Sequence, residues 1–302
     1  SRYLSRIPRL FYFAGYTCLG MATSEEKMGS LKDMEFGPND VVIASYPKSG
    51  TTWASEILSA IAHEGDIQLL RSTKISDRVP WMESDDRNLA TMFPQLSSGR
   101  KRVVTPAKMR VYFTHLPLEL LPQSILQGKC KLLYVARNPK DQAVSFYYFH
   151  RMAKFLGVQT DLPWGEYLSL FCSGDLWCRS WFDHVQSYWK FARNNPKAKF
   201  VTYEDLKRDL MGQMEHLEQF VGVSLSMDQR IDVVEHCSFD CMKENRMINR
   251  DGNLLLDQKE TKFMRKGVVG DWKNYFTVAQ SDAFDELYKK KMEGSGLQFE
   301  FE

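Results

Sequence analysis

The sequence lacks an uninterrupted apolar stretch of about 18 residues, the length that a membrane-spanning helix needs. It also lacks an excess of charge of either sign, because 40 lysines and arginines face 38 aspartates and glutamates, for a formal net charge of +2. This balance argues against a strongly basic nucleic-acid binder and against an acidic tail. We therefore expect a soluble protein that binds neither nucleic acid nor membrane, and any charge-dependent function must rest on a local cluster.

Cysteine is scarce and glycosylation acceptors are absent. The six cysteines are scattered through 302 residues, a chain too large to need a disulfide framework. Cys237 and Cys241 lie four residues apart beside His236, but no second Cys/His pair has zinc-finger spacing, so we expect no metal site. The lack of Asn-x-Ser/Thr sequences favours a reducing compartment, and we expect a cytoplasmic protein.

Hydrophobic residues make up 43% of the chain, which is enough for a sizeable core. We expect residues 1–35 to form an N-terminal arm and residues 36–302 to form a single domain. Arg2, Arg6 and Arg9 precede a short aromatic run that Gly15 interrupts. We interpret residues 1–20 as an arm that packs on the domain, with a truncated signal or a membrane-proximal anchor as the alternative.

Strand and helix patterns alternate beyond the arm. The apolar run at residues 41–46 is typical of a buried parallel strand, and the spacing of Trp53, Ile57 and Ile61 predicts a helix that ends before Gly65. Further strands are predicted over residues 110–114, 130–136 and 199–203, and helices over residues 141–155 and 179–193. This alternation predicts an α/β fold with right-handed crossovers.

Two long segments, residues 71–108 and 245–266, do not fit the alternation. Both are rich in turn-forming or polar residues and are interpreted as long surface excursions. In a compact α/β domain such loops are usually lids or binding loops, and a plain insertion is the alternative.

The segment 46–53, with the sequence YPKSGTTW, joins the first predicted strand of the domain to its helix. A strand, a glycine-containing turn and a helix N-terminus present free N–H groups and the positive end of the helix dipole to an anion. Lys48 adds a full charge, and nearby hydroxyls add further donors. The pattern predicts a phosphate-binding turn; the simpler alternative is an ordinary turn capped by Thr51.

A P-loop kinase or ATPase is the obvious rival interpretation. That motif places its lysine after the final glycine, whereas Lys48 precedes Gly50, and Ser45 stands where the first glycine would be. The strand at residues 130–136 is followed by Arg137, not by a metal-binding aspartate. Glu204 and Asp205 could imitate such an acid, but they are better explained as a helix-capping pair.

Five motifs together resemble the cytosolic sulfotransferase family. They are YPKSGTTW at 46–53, THLP at 114–117, YVARNPKD at 134–141 with Ser145, YED at 203–205, and RKG at 265–267 followed by GDWK at 270–273. The resemblance covers most of residues 36–299. It implies a three-layer α/β/α fold with a central, mostly parallel sheet and a P-loop-like strand-loop-helix. It also implies metal-independent transfer of a sulfuryl group from 3′-phosphoadenosine-5′-phosphosulfate to a hydroxyl or amine of a small acceptor.

The resemblance also implies which residues bind this donor and its desulfated nucleotide product. The 5′-phosphosulfate end would contact Lys48, Ser49, Gly50, Thr51 and Thr52, with Trp53 against the adenine. The 3′-phosphate would contact Arg137, Ser145, Arg265, Lys266 and Gly267. Further donor contacts would come from Tyr203, Ser238, Phe239, Met242, Phe263 and Met264. The residues alone leave open that Trp53 is a core residue and that Arg137 pairs with Asp141.

His115 is the candidate general base. Strand alternation puts it on the face of Val111 and Phe113, at the strand end where parallel sheets bind ligands. A lone histidine is more often a packing residue, and the match of the THLP motif to the family favours catalysis instead. Histidine can accept the proton of an attacking hydroxyl near pH 7, and Lys48 would stabilise the leaving phosphate oxygen.

Two departures from the family leave questions open. Phe113 stands where the family usually has a second lysine, so another group compensates, turnover is slow, or the acceptor is unusual. Cys237 replaces the threonine expected before Ser238, and a thiol is a poor donor. An alternative function is therefore a nucleotide-binding protein with weak or lost catalysis.

The resemblance places Trp81, Phe113 and Phe149 in an apolar acceptor pocket, although each could be plain core. Near the C-terminus, Lys273, Thr277 and Val278 fit the family's dimerisation motif, but Asp282 replaces its glutamate. Weak self-association through residues 273–282 is thus an expectation.

Overall fold

The structure is a computed structural model that describes residues 3–85, 109–157 and 162–302. The strands are β1 Leu10–Phe13, β2 Tyr16–Leu19, β3 Asp40–Ser45, β4 Arg110–Thr114, β5 Lys131–Ala136 and β6 Ala198–Thr202. The α-helices are α1 Glu25–Leu31, α2 Thr51–Ala62, α3 Ile67–Ser72, α4 Ile75–Arg78, α5 Gln123–Leu126, α6 Pro139–Met152, α7 Trp164–Ser173, α8 Trp181–Arg193, α9 Tyr203–Arg208, α10 Leu210–Val221, α11 Met227–His236, α12 Phe239–Glu244 and α13 Val278–Met292. Short 3₁₀ turns occur at Leu4–Arg6, Leu118–Leu120, Lys154–Leu156 and Asp271–Asn274.

A parallel sheet with the strand order β4-β3-β5-β6 forms the centre of the molecule. Strand β3 is buried at all six positions, as its continuous apolar sequence predicts for a strand covered on both faces. The four strands predicted for this sheet all form, within one residue of the predicted bounds. The expectation of a central parallel sheet is confirmed.

Side chains alternate between two hydrophobic clusters, one on each face of the sheet. Val41 and Ile43 belong to the cluster that includes α2, α10 and α11. Val42 and Ala44 belong to the other, which includes α6, α7 and α8. Because successive residues of a strand point to opposite faces, this division is the physical basis of the three-layer α/β/α fold, which is confirmed.

The predicted helices also form, with shifted ends. Helix α2 begins at Thr51, and α8 begins after Ser180, whose side chain accepts a hydrogen bond from the Asp183 N–H. The helix expected over residues 141–155 starts two residues earlier, where Asn138 caps it, and ends at Met152. Proline at the first helical position explains the earlier start, because its fixed φ suits that position.

The N-terminal segment forms a hairpin of β1 and β2 that packs on the main body. Its turn places Ala14 and Gly15 at φ values of 47° and 81°, the left-handed geometry of a tight hairpin. Tyr3 is buried in the larger cluster and lies 2.7 Å from His150 Nε2 through its hydroxyl. Among the described residues, no helix combines the length and apolar character needed to cross a bilayer.

The first long segment differs from its prediction over residues 71–85, while residues 86–108 lie outside the described residues. Helix α4 is packed inward, and Pro80 to Met82 extend the sheet edge: the Phe113 N–H donates to Pro80 O at 3.1 Å, and the Met82 N–H donates to Phe113 O at 2.8 Å. A surface excursion is therefore the wrong description of residues 71–85. The sequence pattern did not predict this pairing, because Phe113 is distant in sequence from Pro80 and Met82.

Arg78 shows why this segment is fixed. Its guanidinium donates to Glu56 Oε2 at 2.8 Å and to Ser59 Oγ at 2.6 Å, and all three side chains are buried. His236 Nε2 lies 2.8 Å from the other oxygen of Glu56. His236 is thus engaged by a carboxylate, and across the described ranges no group of three or more His, Cys, Asp or Glu residues could hold a metal ion.

We expect Arg78→Met to lower the free energy of unfolding by about 3–5 kcal/mol, because it leaves a buried carboxylate without its main partner. Lys129→Met is the matched control, since Lys129 pairs with Glu35 in an exposed bridge that is worth about 0–1 kcal/mol. Denaturant unfolding of both variants measures the difference. Equal losses of unfolding free energy in the two variants would show that the ion pair of Arg78 with Glu56 does not stabilise α4.

Candidate active site

A cavity of about 1040 Å³ lies at the carboxyl end of the parallel strands, next to the turn that follows β3. Most of the side chains that the sequence nominated border it: Lys48, Gly50, Thr51, Thr52, Trp53, Trp81, Phe113, His115, Arg137, Ser145, Phe149, Tyr203, Phe239, Met242, Phe263, Met264, Arg265, Lys266 and Gly267. Two others, Ser49 and Ser238, do not border the cavity as the described residues define it. The fold thus gathers residues from five separate motifs around one space.

The turn after β3 is held in an unusual backbone conformation. Lys48 has φ 72° and Gly50 has φ 101°, both in the left-handed region. A Cβ on Gly50 would lie 2.9 Å from Tyr203 Cδ2, so glycine is required there. Ser49 stabilises the turn. Its hydroxyl donates to Tyr46 O at 2.9 Å and lies 3.1 Å from Gln142 Oε1. Helix α2 begins immediately afterwards, and Thr51, Thr52 and Trp53 of its first turn, where N–H groups lack partners within a helix, border the cavity.

Aromatic side chains form one side of the cavity. The rings of Trp53 and Tyr203 meet edge to face at 5.2 Å, and the Trp53 indole donates to Cys237 O at 2.8 Å. Gly267 lies against the ring of Phe239, where an added Cβ would come within 2.2 Å of the ring. Ser238 acts as the N-cap of α12 and thereby positions Phe239. The backbone carbonyl of Cys237 is thus engaged by Trp53, and the Cys237 side chain is buried.

Arg137, Arg265 and Lys266 border the cavity near the start of α6 and the 3₁₀ turn Asp271–Asn274. Asp271 holds Arg265 and Lys266, each at 2.6 Å. Burial alone would raise the pKa of Asp271, but hydrogen bonds from Lys266 and Arg265 outweigh it and lower this pKa. Arg137 donates to Val268 O at 2.9 Å and lies 4.4 Å from the Tyr203 ring centre. Its Nε is buried without a hydrogen-bond partner among the described residues, so it retains capacity for an anion.

Asp141 has a different role from the simple ion pair that spacing allows. Its carboxylate lies 3.7 Å from Arg137, beyond hydrogen-bond distance, and accepts N–H bonds from Gly270 at 2.8 Å and Trp272 at 2.9 Å. Asp141 thus ties the segment that carries Arg265 to the start of α6. The sequence did not reveal this link, because it joins residues about 130 positions apart.

Lys48 is close to other positive charges. Its Nζ lies 3.8 Å from the Phe263 ring centre and 3.5 Å from Phe263 O. Burial, followed by the charges of Arg250, Arg137 and Arg265, lowers the pKa of Lys48 from 10.5 to about 7. An anion that entered the cavity would relieve this repulsion and favour the charged form of Lys48.

His115 is oriented by the end of the neighbouring strand. Its Nδ1 lies 2.8 Å from Ser45 O, and a carbonyl oxygen only accepts, so Nδ1 carries the proton and Nε2 is a bare acceptor. Burial lowers the pKa of His115 from 6.5 to about 4; the bond to Ser45 opposes this shift, and the charges of Lys48 and Arg250 add to it. Near neutral pH the ring is therefore neutral and able to accept a proton.

A cluster of aromatic rings surrounds His115. The rings of Trp81 and Phe113 are stacked at 6.0 Å with 6° between their planes, and each meets His115 edge-on. Phe149 lies on the other side of Lys48, whose Nζ is 5.3 Å from its ring centre. The three residues nominated for an acceptor pocket thus lie near the candidate base and cation.

Two features of the cavity were missed by sequence reasoning. Arg246 and Arg250 border it, and both come from the second long segment, where no periodic pattern marks them. The buried Glu83 accepts the His115 N–H at 2.8 Å, which helps to fix the end of β4. Glu83 belongs to the first long segment, so only tertiary structure reveals this contact.

Comparison with known proteins agrees with this geometry. Residues 38–296 match the model of the sulfotransferase domain family. Sulfotransferase 1A1 of dog is 41% identical over 301 residues, covering 99% of this chain and 95% of its own. Sulfotransferase 1C2 of rat is 42% identical over 298 residues, covering 98% and 97%.

Solved structures lead to the same conclusion. A mouse sulfotransferase complexed with PAP has a TM-score of 0.72 and 32% identity, covering 95% of each chain. A retinol dehydratase in complex with androsterone and inactive cofactor PAP has a TM-score of 0.83 and 26% identity, covering 98% of this chain and 93% of its own. These matches, together with the family model over residues 38–296, show that the chain belongs to the sulfotransferase family.

Proposed function

We propose that this enzyme transfers a sulfuryl group from 3′-phosphoadenosine-5′-phosphosulfate to a hydroxyl or amine of a small, apolar or aromatic acceptor. One observation carries the proposal: a cavity that gathers cations also contains a histidine with an unprotonated Nε2. The cations suit an anionic donor, and the histidine suits an acceptor that must lose a proton.

The residues present fit such a donor. Gly50 and Gly267 let the rings of Tyr203 and Phe239 pack directly on the backbone of the cavity wall, because a Cβ at either position would clash with the ring. The buried Nε of Arg137 is without a partner among the described residues, and Lys48 would regain its charge beside an anion. Two similar solved structures contain PAP. We assign the donor contacts to the cavity residues named above, with Ser49 and Ser238 acting through the backbone they shape.

The donor supplies a sulfuryl group attached to a phosphate oxygen. In the transfer, the acceptor oxygen or nitrogen forms a bond to sulfur while the bond from sulfur to the phosphate oxygen breaks, and the electron pair stays on the phosphate. His115 Nε2 takes the acceptor proton, and charged Lys48 stabilises the departing oxygen. Because a sulfuryl group carries less negative charge than a phosphoryl group, Lys48 can do this without a metal ion.

The acceptor would lie against Trp81, Phe113 and Phe149. These rings surround His115 and Lys48 and offer an apolar surface with room for a ring system. One similar structure contains androsterone and another contains retinol, which are both mostly apolar alcohols. We therefore place the class of acceptor among small hydrophobic hydroxyl or amine compounds.

A second candidate function is nucleotide binding with weak catalysis. Phe113 favours it, because a phenyl ring cannot donate the charge-assisted hydrogen bond of a lysine at this position. Efficient turnover by the wild type that depends on His115, with no gain of activity in Phe113→Lys, would exclude this candidate.

We also propose that the protein self-associates weakly through residues 273–282. Val278 is 79% exposed at the start of α13, and Thr277 caps that helix. Lys273 pairs with Glu302 at 2.8 Å, so part of the segment is already held within the chain.

We expect His115→Ala to reduce kcat about 10²–10⁴-fold, because the acceptor proton loses its base. Transfer of labelled sulfate to a panel of phenols, steroids and amines measures kcat, and calorimetry with PAP shows that donor binding is retained. His216→Ala is the matched control, since His216 is exposed on α10. Unchanged turnover in His115→Ala would contradict the assigned base.

We expect the affinity for PAP to fall as the pH rises from 7 to 9, by at most about tenfold per pH unit. The pKa of Lys48 in the free protein is about 7, and binding of an anion favours the charged form, so each step above pH 7 requires that a proton be taken up. Phosphate groups, with a second pKa of about 6, are already ionised in this range. Calorimetry at several pH values measures the slope, and Lys48→Met should flatten it. An identical slope in that variant would contradict the assignment.

A further inference from the structure

Because residue 113 is a phenylalanine, the site lacks the positive charge that a lysine would supply at this position. Members of the family usually have a lysine at this position, directly before the Thr-His pair. In this protein the ring of Phe113 stacks on Trp81, and the backbone of Phe113 forms hydrogen bonds with Pro80 and Met82. A phenyl ring offers no hydrogen-bond donor to the oxygens of a sulfuryl group. If the enzyme is efficient, a second cation must come from another element.

Arg250 lies in a suitable place. It borders the cavity, and its guanidinium carbon is 5.4 Å from the Phe263 ring centre, while Lys48 Nζ is 3.8 Å from the same centre. The two cations therefore share one aromatic ring. Burial is the main cause of the lowered pKa values of Lys48 and His115, and the charge of Arg250 adds to both shifts.

Hydrogen bonds fix the backbone that carries Arg250. The Gln258 amide donates to Arg250 O at 2.8 Å and accepts the Phe263 N–H at 2.8 Å, so one side chain joins the two segments. The neighbouring Asn249 is buried and donates to Lys243 O at 2.8 Å. Arg250 itself has φ 59°, a conformation that needs such support in a residue other than glycine. Its position relative to Phe263 and Lys48 is thus built into the fold.

We propose that Arg250 supplies the second positive charge at the transferring sulfuryl group, in place of the lysine that Phe113 replaces. This inference rests on the proposed function. As the acceptor bonds to sulfur and the phosphate oxygen leaves, negative charge is spread over the sulfuryl and phosphate oxygens. Lys48 acts at the leaving oxygen, His115 takes the acceptor proton, and Arg250 acts on the sulfuryl oxygens. No further reactant is needed.

The closing experiment is a double-mutant cycle. Arg250→Met should lower kcat about 10–100-fold, with a smaller loss in PAP affinity, because PAP lacks the sulfuryl group. Phe113→Lys in the Arg250→Met background should restore at least about tenfold of the lost kcat, and Phe113→Lys alone is measured in parallel to close the cycle. Arg250→Lys should keep most of the activity. Arg193→Met, a change of an exposed arginine on α8 that does not border the cavity as described, is the control.

A second readout separates electrostatics from structural damage. Removal of the Arg250 charge should raise the pKa of His115 in the free protein, and NMR titration of the histidine ring measures this shift. A His115 pKa that does not change would overturn the inference, as would an Arg250→Met kcat within twofold of the wild type. If kcat falls equally in Arg250→Met and in the double variant that also carries Phe113→Lys, the inference is overturned as well. If the wild type binds PAP but transfers no sulfuryl group from 3′-phosphoadenosine-5′-phosphosulfate to any acceptor of the panel, the proposed function is overturned instead, and the inference with it.

Discussion

Burial of several cations at the carboxyl end of the sheet is the constraint on which the rest of the site depends. Burial first, and then the charges of Arg250, Arg137 and Arg265, lowers the pKa of Lys48 to about 7. The protein holds them with aromatic faces and one carboxylate: Phe263 lies under Lys48, Tyr203 under Arg137, and Asp271 pairs with Arg265. This arrangement holds the cations in place by contacts within the chain, so an anionic ligand would need little rearrangement to bind them. The near-neutral total charge of the chain conceals this local cluster.

The register of the parallel sheet connects this cluster to the candidate base. Ala44 pairs with Thr114, so Ser45 and His115 leave adjacent strands at the same level. The Ser45 carbonyl then sets the tautomer of His115, and the turn that begins after Ser45 carries Lys48. A shift of one residue between β3 and β4 would separate the base from the cation. The geometry of the candidate site is thus a consequence of strand pairing, and Glu83 reinforces it by accepting the His115 N–H.

Sequence reasoning succeeded where the determining interactions are local. Apolar runs predicted the four central strands, and the turn at residues 46–53 was identified from a lysine, a glycine and a helix start within eight residues. It failed where partners are distant: the Glu56 and Arg78 pair, the pairing of Pro80 with Phe113, and the link from Asp141 to Gly270. None of these three contacts produces a periodic pattern in the sequence. Ser49 shows a subtler limit, because spacing placed it in the turn but could not show that its hydroxyl points into the core.

The position of Arg250 changes how acceptor recognition and chemistry are coupled. A lysine at position 113 would place the second charge on a strand of the sheet, where its position is independent of the acceptor. Arg250 belongs instead to the segment after α12, which also contributes Leu255 and Leu256 to the cavity. Contacts between an acceptor and these side chains would act on the same short segment that carries the charge. An acceptor that packs well against it would therefore improve the electrostatics of transfer, and binding energy would appear in kcat as well as in KM. Selectivity in this enzyme would then lie in turnover more than in affinity.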